Sequence, residues 1–256
     1  MASRFAQMLL IFAFALPACA GRAGELNSQA QIQMARGSWD DARRLYLELH
    51  GFLQKVLGPE HPQTVLALVN ACDASVPLAA RYNSIPLCTR ALDLQEKLTP
   101  ESIAAVKTMS DLALLYAAQG DLSHSSKLLE RALRITGDAP SPEAAGVMNN
   151  LGTLYYKKRK YYEARDMFER AIAIVGNGVM PDGSDLLTML GNLGGAELAL
   201  HDAPAAELHF RRALSIAQNS FGPGDAKYIK AAKDLSRAQA ALRNNTNTLT
   251  SSAAMP

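Results

Sequence analysis

Five polar side chains recur at one position of a repeating unit: Ser28, Asn70, Asp111, Asn150 and Asn192, at intervals of 42, 41, 39 and 42 residues. A carboxamide donates and accepts hydrogen bonds at once. A ladder of them suits capture of an extended peptide backbone without regard to its side chains. Lys107 and Lys157 project to the same side of their helices and add cationic partners, while Tyr156 stands at the lip of that face. The competing reading is that each Asn bonds the neighbouring unit and fixes the stack; one side chain can do both.

The other reactive residue types point elsewhere. Three cysteines are present, Cys19, Cys72 and Cys88. Cys72 and Cys88 occupy facing columns of one hairpin whose turn centres near Arg81. In an oxidising compartment a bridge between them would close a loop of about 17 residues, contributing roughly 3 kcal/mol; alternatively they fill core positions as thiols. The five histidines, His50, His61, His124, His201 and His209, lie at unrelated positions of different units. No Gly-x-Ser-x-Gly elbow, His-Glu-x-x-His helix or phosphate-cradling glycine loop occurs. No catalytic residue, cofactor or metal site is therefore expected, and the chain reads as non-enzymatic.

The elements that must hold these residues follow from spacing. Two residues after the polar column comes a small residue, Ala30, Cys72, Ala113, Gly152 or Gly194. Twelve further on lies Ala42, Ser84, Ser125, Ala164 or Ala206; sixteen on lies Tyr46, Cys88, Leu129, Phe168 or Phe210; nineteen on lies Leu49, Ala91, Ala132, Ala171 or Ala213. Offsets within a unit never slip, while the distance between units varies, as in stacked helical hairpins whose loops absorb insertions. Two residues on a helix turn about 200°, so the polar column faces away from the partner helix. The expected fold is all-α: a right-handed α-solenoid of five hairpins, over about 26–58, 62–98, 101–137, 142–177 and 184–222, with a capping helix over 227–243 and a disordered tail over 244–256. Helices are expected to open at Thr99-Pro100-Glu101 and Ser141-Pro142-Glu143. Gly37 and Gly120 mark turns within hairpins. The second unit is irregular: Pro77 and Pro86 predict a late helix capped by Asn83 or Ser84, with a longer turn over 79–82.

These columns resemble the tetratricopeptide repeat, whose Leu-small pair, Tyr, Ala, Phe and Ala are met by Leu151-Gly152, Tyr155, Ala164, Phe168 and Ala171. The long period, the Asn149-Asn150-Leu151 triplet and Gly58-Pro59-Glu60-His61-Pro62 are similar to the kinesin-light-chain subtype. The resemblance implies a scaffold that binds a protein or peptide partner. It does not carry over motor function, since no heptad segment accompanies it. In several families of this kind the groove clamps a C-terminal carboxylate; the matching face here carries few basic residues and has Gly146, Gly191 and Gly195 among them.

A net charge of +2 gives no concentrated stripe for a nucleic-acid backbone. The run Lys157 to Lys160 reads as a solvated turn. Residues 1–20 read as a secretory signal: an apolar stretch from Phe5 to Ala15 is too short to span a bilayer. Cleavage after Ala18-Cys19-Ala20 would leave Gly21 first. Leu16-Pro17-Ala18-Cys19 also resembles a lipobox, with Cys19 lipidated and retained, and an uncleaved anchor is the third alternative. The expected location is secreted or periplasmic, or lipid-anchored at the envelope, with no membrane span after signal removal. The leading functional reading is an exported scaffold that holds an extended or helical peptide segment in its groove. The alternative is an envelope assembly protein acting by self-association or tethering.

Overall fold

The computed structural model describes residues 20–137, 139–176 and 183–253, with side chains described up to residue 244 except at 183 and 184. It is all-α among those residues: α1 (20–35), α2 (Trp39–Leu57), α3 (Pro62–Asp73), α4 (Ile85–Leu98), α5 (Ile103–Ala118), α6 (Leu122–Thr136), α7 (Pro142–Lys157), α8 (Tyr161–Ile174), α9 (Gly183–Ala199), α10 (Ala203–Ser220) and α11 (Ala226–Ala253). A short 3-10 turn covers Val76–Leu78. The chain divides into two compact units, Met1–Leu128 and Leu129–Pro256. In the first, α1 and α2 share a core with α3, and α3 packs on α4 and α5. In the second, α7 pairs with α8, α8 packs on α9, α9 pairs with α10, and α10 packs on α11.

Two kinds of helix alternate for a packing reason. Second helices bury one narrow stripe, such as Ala164, Phe168 and Ala171 on α8 or Ala206, Phe210, Ala213 and Ala217 on α10. First helices sit between two neighbours and are buried more widely, as with Ala144, Ala145, Val147, Met148, Leu151, Gly152 and Leu154 on α7. The small and bulky columns meet inside each hairpin. A Cβ placed on Gly152 would stand 2.6 Å from Phe168 Cε1, and one on Gly194 would stand 2.7 Å from Phe210 Cε1. Those glycines are therefore required by the rings. In the first hairpin Ala30 and Tyr46 fill the same columns within one core. In the second, Cys72 and Cys88 are joined by a disulfide across a Cα–Cα distance of 5.0 Å.

Seven residues after the small position the backbone turns through a left-handed conformation, at Gly37 (φ 72°), Gly120 (φ 85°), Arg159 (φ 59°) and His201 (φ 63°). Glycine takes it without cost; Arg159 and His201 are held there by the hairpin. The second hairpin turns differently, with Val76–Leu78 and a turn over 79–81 in that place. Arg81 and Tyr82 both reach Asp40 at the start of α2, at 2.9 and 3.0 Å, and Arg43 lies 4.6 Å over the Tyr82 ring.

Several boundaries differ from expectation. Ser84 is the N-cap residue of α4, yet its hydroxyl makes no capping bond and is buried without a partner. Thr99 closes α4 instead of opening α5: its hydroxyl lies 3.4 Å from Gln95 O and 3.1 Å from the Ser102 hydroxyl, and α5 begins after Ser102. Ser141 does cap α7, accepting from Ala144 N at 3.1 Å. α1 is already helical at residue 20, the first described residue, ahead of the expected 26. α11 runs on to Ala253, where a disordered tail was expected from 244. No Gly or Pro interrupts 226–253, so a helix already anchored through Ala231 and Ala238 propagates. Cys19 and the apolar leader lie outside the described residues.

Gly152→Ala tests the close approach. The added methyl must displace a ring that is 1% exposed, and overpacking of this kind costs about 1–3 kcal/mol. Denaturant titration should show that loss, and adding Phe168→Leu to the same chain should recover part of it. An unchanged midpoint for Gly152→Ala would show that the hairpin does not depend on this contact.

Candidate functional site

In the second unit α7, α9 and α11 frame a trough. It consists of two cavities of about 250 and 160 Å³ that share Gly191, Asn192, Phe210, Lys230 and Asp234. Thr153 and Tyr156 from α7 and Arg237 from α11 line the larger one. Gly191 and Gly195 keep the floor open: a Cβ on Gly191 would meet only Lys230 Nζ, at 3.6 Å, and one on Gly195 would meet nothing within 4 Å. These glycines thus differ from Gly152 and Gly194, whose missing side chains are already replaced by rings.

Of the residues singled out by sequence, Asn192 and Tyr156 come together here. Asn192 Nδ2 donates to Asn149 Oδ1 at 3.0 Å, and Thr153 Oγ1 donates to Asn149 O at 3.0 Å. Asn192 therefore ties its repeat to the preceding one, and the same side chain lines the trough. Asn150 is half-buried and does not line the trough; the bonded neighbour is Asn149. Tyr156 is 39% exposed and its ring meets Tyr161 at 5.3 Å. Lys157 is exposed at the last position of α7.

The wall supplied by α11 was missed by sequence reasoning, which read the helix as a polar cap. Lys227, Lys230, Asp234 and Arg237 follow one another at steps of three, four and three, which places them on one stripe. That signal was present. Lys230 Nζ donates to Asp234 Oδ2 at 3.0 Å and Arg237 Nη1 donates to Asp234 Oδ1 at 3.1 Å. Asp234 is 13% exposed, while Lys230 and Arg237 are 71% and 59% exposed.

The first unit holds the other predicted residues. Asn70 lines a separate cleft of about 350 Å³ with Asn27, Gln63, Leu49, Leu53 and Leu66. Lys107 is engaged by the chain's own carboxylates: Asp73 Oδ1 at 2.6 Å and Asp111 Oδ2 at 3.2 Å. Burial pushes the Asp111 carboxyl up to about 6, and Asp73 adds to this, against the opposing pull of Lys107. Burial also works against the Lys107 charge, but Asp111 and Asp73 outweigh it and hold its pKa above the ordinary lysine value. The two partners diverge because the carboxylate is 9% exposed and the ammonium 58%. In the second unit His209 Nδ1 lies 2.9 Å from Glu197 Oε2, whose side chain is 3% exposed. That bond raises the His209 pKa against the effect of burial, with Glu197 and Glu169 adding attraction.

Tetratricopeptide-repeat family models match residues 143–219 and, separately, 30–63 and 106–137, together more than half of the chain. The chain belongs to the tetratricopeptide-repeat family. Among solved tetratricopeptide-type structures it is similar to BtubC (BKLC) from P. vanneervenii, at 24% identity and TM-score 0.66 over 88% of this chain and 92% of that one. A putative kinesin light chain from Podospora anserina with nearly identical TPR-like repeats matches at 19% identity and TM-score 0.59, covering 78% of this chain and 97% of that one. The apo form of RapI matches at 17% identity and TM-score 0.63, covering 77% and 71%. These likenesses establish a shared fold, with kinesin-light-chain-type repeats among those that have it. No curated protein matches the sequence. Among the described residues no group of three His, Cys, Asp or Glu could hold a metal ion.

The titrating pairs predict how stability depends on pH. Asp111 has a folded pKa above its ordinary value of 3.8, so the folded state binds its proton more tightly and ionisation is destabilising. The His209 contribution is full below the ordinary histidine value of 6.5 and is lost as pH rises through its raised folded value. Both favour the acid side of neutrality. Denaturant titrations from pH 7 to pH 4 should show a gain of roughly 2 kcal/mol from Asp111. Asp111→Asn should remove that gain; an identical pH profile in the variant would overturn the assignment.

Proposed function

We propose that this chain is an exported, non-enzymatic scaffold that holds an extended or helical segment of a partner protein in the α7–α9–α11 trough. The tetratricopeptide fold is a protein-interaction scaffold, and that much comes with the family. The observation that carries the finer reading is the open glycine floor beside Asn192. Gly191 and Gly195 leave room for a backbone, and Asn192 and Thr153 supply polar groups along it. Such a surface is formed before binding, so little ordering cost falls on the scaffold.

Export is supported by the composition of residues 1–20 and by the Cys72–Cys88 bridge, which is at home in an oxidising compartment. No helix among the described residues is long and apolar enough to cross a membrane. Association of copies through the first helix is less favoured: residues exposed on α1 include Arg22, Glu25, Ser28 and Gln29, with Ile32 the large apolar side chain among them.

A photo-crosslinking residue placed at Tyr156 should capture a partner from the native compartment, and Asn192→Ala should weaken that capture. The same probe at Tyr162, 68% exposed and outside the trough, should capture little. Equal yields at both positions would remove the trough from the reading. Mass spectrometry of the native N-terminus should find Gly21 free or Cys19 acylated; an intact Met1 terminus would overturn export with processing.

A further inference from the structure

The basic stripe of α11 gives the trough a sign. Between residues 226 and 244 the helix carries Lys227, Lys230, Lys233, Arg237 and Arg243 against the single acid Asp234, while the whole chain has a net charge of only +2. Lys227, Lys230 and Asp234 line the smaller cavity, and Lys230, Asp234 and Arg237 line the larger. The facing wall of Thr153, Tyr156, Gly191, Asn192 and Gly195 carries no formal charge.

Within that field Asp234 sits between two cations. Each of its oxygens accepts one bond, from Lys230 at 3.0 Å and from Arg237 at 3.1 Å. An ammonium has three donors and a guanidinium five, so both cations retain capacity for another acceptor. Both are mostly exposed beside the open floor, while the carboxylate they hold is 13% exposed. This is the geometry with which a carboxylate from elsewhere would be held.

We infer that the trough takes an acidic segment of a partner protein, and that Asp234 is an internal occupant of the anion position which the incoming carboxylate displaces from Lys230 and Arg237. The inference rests on the peptide-binding reading of the trough and adds the chemistry of the partner. At each of the two cations, displacement exchanges one charge-assisted hydrogen bond for another. Asp234 therefore sets a threshold: an uncharged segment cannot compete for the two cations, and an acidic one can.

The test uses the isotope-labelled full chain and two probes, a dodecapeptide of alternating Ser and Glu and its Ser-Gln counterpart. The Glu peptide should shift the amide resonances of Gly191, Asn192 and Gly195, with an affinity that falls as salt is raised. The Gln peptide should bind roughly tenfold more weakly or less, the scale of one lost charge-assisted bond. Asp234→Asn, which keeps the side-chain shape, should tighten the Glu peptide several-fold, and Lys230→Gln with Arg237→Gln should abolish its effect on these amides. Equal binding of both peptides at these amides would overturn the charge inference and leave the trough reading standing. Absence of any shift there, or weaker Glu-peptide binding by Asp234→Asn, would overturn the inference and mark Asp234 as a structural clamp. The crosslinking yields at Tyr156 and Tyr162 test the trough itself independently.

Discussion

The structure depends on how closely two helices of a hairpin approach where a small residue faces a large one sixteen positions later. Phe168 and Phe210 are each 1% exposed and lie where Gly152 and Gly194 would carry a Cβ. Each ring also packs toward the next helix: Phe168 shares a core with Leu193 and Ala196 of α9, and Phe210 with Ala238 of α11. One contact thus sets both the separation within a hairpin and the seat for its neighbour. The second hairpin meets the same constraint with a covalent bond. Cys72 and Cys88 stand in those columns, and a bridge holds the helices where no ring does. Its turn also lacks the left-handed residue of the other hairpins and is tied to α2 through Arg81, Tyr82 and Asp40. Cross-linking and irregular turn coincide because this repeat lacks both the bulky filler and the tight reversal.

α11 has two tasks because of where it stands. It takes the place that the first helix of another repeat would occupy, burying Ala231 and Ala238 against α10. A first helix lines the trough with its exposed side, so the capping helix does the same, with its own residues. A helix that ends an array must be polar outward. Here the polar side is mainly basic, so the requirement for a soluble end also gives the adjoining trough a charge.

The columns made most of the fold legible. Hairpin membership, the glycine turns at 37 and 120 and the cap at Ser141 depend on local spacing and backbone chemistry, which sequence carries directly. The misplaced features depend on competition between neighbours. Thr99 has a hydroxyl next to a proline, the pattern of a helix start, but Ser102 lies three residues on and the Thr99 hydroxyl turns back to Gln95. At the site, the polar column named Asn192, which lines the trough, yet its bonded neighbour is Asn149, one residue off the Asn150 position that the column named. Two residues side by side on a helix point about 100° apart, and only the stack decides which one reaches across. Lys107 was named for the same face but is engaged by Asp73 from another helix, a pairing that spacing within one repeat does not reveal.

Gly152 of α7 and Gly191, Gly194 and Gly195 of α9 show how one residue type serves opposite ends. At Gly152 and Gly194 the side chain is absent because a ring fills the space, and the result is rigidity. At Gly191 and Gly195 it is absent and little fills the space. An empty position on a wide, otherwise well-buried first helix forgoes apolar burial, which a methyl alone would increase by about 0.8 kcal/mol. Packing gives no reason for such a gap beside Asn192, Lys230 and Asp234. The proposed peptide-binding reading supplies one, because a backbone passing over the helix would need the clearance that a side chain denies. Lys230 reaches over the same face, with its Nζ 3.6 Å, an ordinary contact distance, from the place a Cβ on Gly191 would take. Clearance at the trough therefore comes from α9 and charge from α11, and the two meet where Lys230 reaches over Gly191.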